Sequence, residues 1–143
     1  MFKKLFSKSK ETEAAPTHDP LHLAVAVLMI EAAVADQHFD ENERNIISKA
    51  LRENFSIIEA DADALVEAAA EEQKNAVDIQ RFTRVAKEMG RAEKVRFIET
   101  LWRIVLSDDE RDPYEETLIR RVCGLIYVSD RESGEARQRV EAG

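Results

Sequence analysis

Cys123 is the only cysteine in this chain, so no intrachain disulfide can form, which suits a reducing compartment. Glycine and proline are also scarce, at four and three in 143 residues, which argues against an all-β fold rich in tight turns. No Gly-rich phosphate loop, no H-E-x-x-H and no recognisable nucleophile–base set is present, so the chain is read as not an enzyme. The only competing enzymatic reading is a hydrolase that uses its carboxylates. The N-terminus has lysines but no apolar core or cleavage site of a secretory signal, and residue 2 is Phe, which excludes myristoylation. A cytoplasmic location is the expectation. The longest apolar stretch, LHLAVAVLMIEAAVA (residues 21–35), falls short of the about 20 residues that cross a bilayer.

That stretch is what the chain does have. From Leu23 to Ala35 its only charged residue is Glu31. It lacks the polar face of a surface helix, so it predicts a helix buried at the centre of the domain. Asp19 and Pro20 start it well, as cap and first-turn residue. Six more helices follow from apolar spacing and end signals. They are predicted at about Glu41–Glu53, Ala60–Gln73, Ile79–Met89, Ala92–Leu106, from Pro113, and after Ser129. The third should turn Ala64, Leu65, Ala68 and Ala69 inward, the fifth Trp102, and the sixth Cys123. Asp78 should cap the fourth helix and Gly90 end it. Residues 1–19 read as a basic tail and Pro-broken linker, and residues 20–143 as a single helical domain.

Charge is uneven. The formal net charge is −8, yet residues 1–10 (MFKKLFSKSK) hold four lysines and no acid, leaving −12 on the rest. An acidic body repels phosphates, so no nucleic acid is expected as a partner. Phe2, Leu5 and Phe6 among the tail lysines allow weak contact with an anionic membrane surface. Residues 59–72 carry six acids and no base, whereas residues 81–96 carry a local +4. Such opposed patches suit a protein partner or a homodimer.

Laid on itself at an offset of 72 residues, the chain repeats. Asp36 falls on Asp108, Asp40 on Asp112, Glu43 on Glu115, Ile46-Ile47 on Leu118-Ile119, and Phe55 on Tyr127. Each half reads as apolar helix, Asp-x-x-x-Asp-x-x-Glu, apolar helix. Two helical hairpins related by a pseudo-twofold are the simplest architecture. Asp40 with Glu43, and Asp112 with Glu115, have the spacing of capping boxes. Capping does not account for Asp36 and Asp108, which end helices where an anion is disfavoured by about 0.3–1 kcal/mol. Three readings follow: a hard divalent cation, a salt-bridged hairpin joint, or a loop that contacts a partner. For a cation, Ca²⁺, Mg²⁺ or Mn²⁺ would suit the oxygen ligands, with His38 and Glu110 as auxiliary donors. Neither loop is an EF-hand, since the required Gly and the final Glu are missing.

The stretches AAVADQHFDENERNII (32–47), DIQRFTRVAKE (78–88) and LWRIVLSDDERDPYEETLIRRVCGLIYVS (101–129) resemble the TerB-like domain of tellurite-resistance proteins. That domain also forms the N-terminal part of a membrane-anchored DnaJ-type co-chaperone. The chain departs from the family pattern at Gln37 and Asp109, where Gly is frequent. The resemblance implies an all-α single-domain bundle of about seven helices, without enzymatic activity and with cation sites at the repeat joints. Carried over, the site residues are Asp36, Asp40, Glu43, Asp108, Asp112 and Glu115. It also implies stress-response assemblies close to the inner face of the membrane. A co-chaperone-like adaptor without metal is the alternative. Tellurite, an anion, would not bind an acidic loop directly.

Overall fold

A computed structural model of the chain describes residues 18–34, 39–107 and 113–143. It is an all-α bundle of seven helices: α1 (Pro20–Ala33), α2 (Glu41–Phe55), α3 (Glu59–Asn75), α4 (Gln80–Ala86), α5 (Arg91–Leu106), α6 (Pro113–Ile126) and α7 (Asp130–Ala142).

The apolar stretch forms α1 and is the centre of the molecule. The Asp19 carboxylate accepts the Leu21 and His22 N–H groups at 2.8 and 3.4 Å, satisfying donors that the helix itself cannot. All residues from Ala24 to Ala33 except Glu31 are buried. Helix α1 packs on α2, α3, α4, α5 and α6, which is why it can be apolar all round. Glu31 is half-buried and accepts a hydrogen bond from Gln73 Nε2 of α3 at 2.9 Å.

The repeat extends one helix further than a hairpin. Helices α1, α2 and α3 correspond to α5, α6 and α7, and short α4 joins the two sets. In each set the first helix packs most extensively on the third. His22 of α1 stacks on Phe55, with centroids 4.0 Å apart, and the corresponding Lys94 of α5 lies 5.9 Å from the ring of Tyr127. The second helix of each set is followed by a left-handed residue, Ser56 at φ 55° and Tyr127 at φ 66°. Because α6 stops one residue early, the offset falls from 72 to 71 before the third helices. The buried residues Ala62 and Leu65 of α3 then match Ser133 and Ala136 of α7.

Several boundaries and faces differ from the sequence reading. Asn54 and Phe55 belong to α2 and not to a loop. On α3, Ala64 is exposed while Ala62 and Val66 are buried. Gly90 begins α5 instead of ending α4, and its N–H donates to Glu93 Oε1 at 3.0 Å. Asp78 sits one residue before the α4 cap position, where it accepts the Gln80 N–H at 2.8 Å. The capping of α7 is as predicted: Ser129 Oγ accepts the Glu132 N–H, and Glu132 Oε1 accepts the Ser129 N–H.

Candidate functional site: the inter-helix joints and the clefts beside them

Of the acids singled out from the sequence, three are described: Asp40 and Glu43 at the start of α2, and Glu115 in the first turn of α6. Asp40 and Glu43 form a reciprocal capping box. Asp40 Oδ1 accepts the Glu43 N–H at 2.8 Å, and Glu43 Oε1 accepts the Asp40 N–H at 3.1 Å. Glu43 is only 3% exposed, and Glu115, the third residue of α6, is 1% exposed. The two sets thus bury a glutamate at the same place. Burying a carboxylate is costly unless hydrogen bonds or charges compensate. At Glu43 the cap supplies part of that compensation.

Asp36, His38, Asp108, Glu110 and Asp112 lie outside the described residues. Among the described residues, no three His, Cys, Asp or Glu side chains come together to hold a metal. Asp40 and Glu43 each have one carboxylate oxygen already bonded to a backbone N–H. The described donors therefore do not make up the six to eight oxygens that Ca²⁺ takes.

Beside each joint a cleft runs between the second and third helices. In the first set it is bridged. Ser48 Oγ donates to Asp63 Oδ1 at 3.1 Å, and Arg44 Nη1 pairs with Glu67 Oε2 at 2.6 Å. Arg44 also lies over the Phe39 ring at 4.8 Å, which ties the joint to the bridge. The groove above, about 520 Å³, is lined by α2 and α3 alone.

In the second set, a cleft of about 280 Å³ reaches down to Trp102 of α5. Trp102 is in the core as predicted, but it also lines this cleft. Its Nε1–H donates to Ser133 Oγ at 3.0 Å, and Arg137 lies over its ring at 4.7 Å. Arg137 pairs with Glu116 at 3.5 Å, a bridge of opposite sense to Arg44–Glu67. Cys123 lies beside Ser133. Burial pushes its thiol above the ordinary value, and the Ser133 hydroxyl bond only partly offsets this. The inert thiol expected from the sequence is consistent with that environment.

The opposed charge patches meet at one pair, Arg81 of α4 with Glu72 of α3 at 2.5 Å, while Arg91 of the basic stretch pairs with Glu132 of α7 at 3.2 Å. The cleft residues Arg120 and Gly134 were not legible as a site. The usable signal was the repeat itself, read at an offset of 72 for Arg120 and 71 for Gly134.

The fold defines a class: an all-α single-domain bundle whose helices share one core. A family model described as "Tellurite resistance protein TerB" matches residues 22–138, and the chain belongs to that family. The crystal structure of the protein of unknown function PG1108 from Porphyromonas gingivalis W83 has a similar fold. It aligns at a TM-score of 0.60 and 18% identity, over 97% of this chain and 99% of that one. A comparison with curated proteins returns no match. No described helix is long and apolar enough to cross a membrane.

Proposed function

We propose that this TerB-family chain is a non-enzymatic, acidic interaction module of a tellurite-resistance or stress-response system. Its two inter-helix joints would take a divalent cation weakly. The observation that carries this reading is the matched burial of Glu43 and Glu115 at the first turns of α2 and α6. The ligand sets would be Asp36, Asp40 and Glu43 with His38, and Asp108, Asp112 and Glu115 with Glu110. Bound there, a cation would neutralise acids in the segments that follow α1 and α5 in the sequence. The test is calorimetry and thermal shift with millimolar Ca²⁺, Mg²⁺ or Mn²⁺. A saturable rise in Tm that Asp36→Asn and Asp108→Asn each reduce supports the reading. A flat titration overturns it.

A metal-free, co-chaperone-like adaptor is the second reading. The closed Asp40–Glu43 capping box favours it, since those two side chains already serve the helix start. Under either reading the partner is protein and not nucleic acid, and a homodimer is compatible with the surface charge. The site of action is cytoplasmic, at the inner face of the membrane, with residues 1–10 giving weak contact to anionic lipid. Loss of liposome binding on deleting residues 1–10 is the expected result; unchanged binding removes the lipid contact.

A further inference from the structure

The two clefts differ in a way that folding does not require. At the shifted offset, Asp63 of α3 corresponds to Gly134 of α7, and at the unshifted one Ser48 of α2 corresponds to Arg120 of α6. In the first set these two positions are bonded across the cleft. In the second, one partner has no side chain. A Cβ built on Gly134 would meet nothing within 4 Å, so no neighbour forces a glycine there. Arg120 lines the same cleft and is exposed, and no described residue pairs with it. The cleft's other cation, Arg137, is held by Glu116 and Glu141. Asp130 also faces the cleft, in the first turn of α7, where the helix N-terminus stabilises an anion. The cleft floor is Trp102, 7% exposed, where the corresponding Ile30 is 1% exposed.

We propose that the cleft between α6 and α7 docks an acidic peptide segment of a partner protein, with an Asp or Glu carboxylate lying over Gly134 and paired with Arg120 beside Trp102. The bound carboxylate takes the place that Asp63 fills from within the chain in the first set. Arg120 supplies a planar, two-pronged donor suited to a carboxylate. The net charge of −8 does not forbid this: screening at physiological salt sets in over about 8 Å, and of the cleft's own charges Arg137 is held by Glu116 and Glu141 and Asp130 lies at the α7 N-terminus, which leaves Arg120 for the incoming carboxylate. The inference deepens the interaction-module reading and is independent of its cation part.

Trp102 is the only tryptophan, so its emission reports this cleft. The probe is a capped synthetic peptide of residues 59–75, which carries six acids and one lysine. It is titrated into the full chain with chelator and again with Mg²⁺. A saturable change in Trp102 emission, equal in both conditions, is expected. Arg120→Glu should weaken it by at least about tenfold, as should Gly134→Asp, which fills the cleft from within. Arg120→Lys, which keeps the charge but loses the two-pronged geometry, should weaken it less than Arg120→Glu does. The same peptide with every acid replaced by its amide should give no response. The proposal is overturned if the peptide leaves the emission unchanged, if the amide peptide binds equally, or if Arg120→Glu has no effect. It is also overturned if inorganic phosphate alone gives the same change, which marks a free-anion site. A dimer on sedimentation that shifts the emission without peptide would assign the cleft to a second copy instead. A divalent-insensitive peptide response beside a flat cation titration would keep this site and discard the cation reading.

Discussion

Replacing Gly134 by alanine should make the protein more stable. Gly134 is the fifth residue of α7, inside the helix, where glycine costs about 1 kcal/mol relative to alanine. Such a gain is commonly cancelled by a clash, but here the new methyl meets nothing within 4 Å. The unfolded chain also loses freedom, which acts in the same direction. The net expectation is about 0.5–1 kcal/mol of stabilisation. With a urea slope of about 1–3 kcal/mol per molar, the midpoint should rise by a few tenths to about 1 M. Urea titration followed by far-UV circular dichroism and by Trp102 emission measures it. Gly90→Ala is the internal control, with the opposite sign. Gly90 caps α5, and alanine is a much poorer cap, so a loss of several tenths to about 1 kcal/mol is expected. A loss of stability in Gly134→Ala would mean that the cleft is already filled by the chain itself, and the argument for an external occupant would fail with it.

Leu28→Ala, at the fully buried centre of α1, should cost about 2–5 kcal/mol on the same urea assay, whereas Val77→Ala, 99% exposed, should stay within about 0.5 kcal/mol. Asp40→Ala removes the α2 cap and should cost about 1 kcal/mol. Glu132 is held below the ordinary carboxylate value by the Ser129 backbone N–H and hydroxyl, and by Arg91 and Lys94. Its contribution is present above the ordinary value and lost as pH falls through the depressed one, so wild type and Glu132→Gln should differ at neutral pH and converge in acid. Cys123 should resist a thiol reagent in the native state and react fully in denaturant, because burial disfavours its thiolate; fast native labelling would contradict the packing at Ser133.

Much of the fold was legible because the sequence offers strong, unambiguous signals at particular places. Helix α1 has no polar face to misplace, and Ser129 with Glu132 marks the start of α7 directly. Helix α3 was misread by about one position because alanines at 60, 62, 64, 68, 69 and 70 fit more than one face. Gly90 can end one helix or begin the next, and only the Glu93 carboxylate reaching its N–H decides between them. The Arg81–Glu72 and Arg91–Glu132 pairs cross between helices, and no local pattern announces them. The third helix of each set escaped a fixed-offset comparison because α6 ends one residue early. At the first joint the Asp40–Glu43 cap was readable as spacing, whereas the burial of Glu43 and Glu115 is a tertiary fact.

What two like units share and where they part carry different information. Glu43 closes a capping box and Glu115 lies in the first turn of α6, where an anion is favoured, so the recurrence of a buried glutamate is accounted for in part by folding alone. Asp36 and Asp108 fall outside the capping-box spacing, and they are the acids on which the cation titration should be judged. The cleft residues reverse the logic. The Ser48–Asp63 bond demonstrates one way for this architecture to bridge its second and third helices. A second unit that needed only to fold could use the same pair. It carries instead an arginine that pairs with no described residue and a glycine, with Trp102 lining the opening. Gly134→Asp restores the first unit's carboxylate opposite Arg120. If that change adds stability and removes binding together, the opening in the second unit serves recognition at the expense of stability.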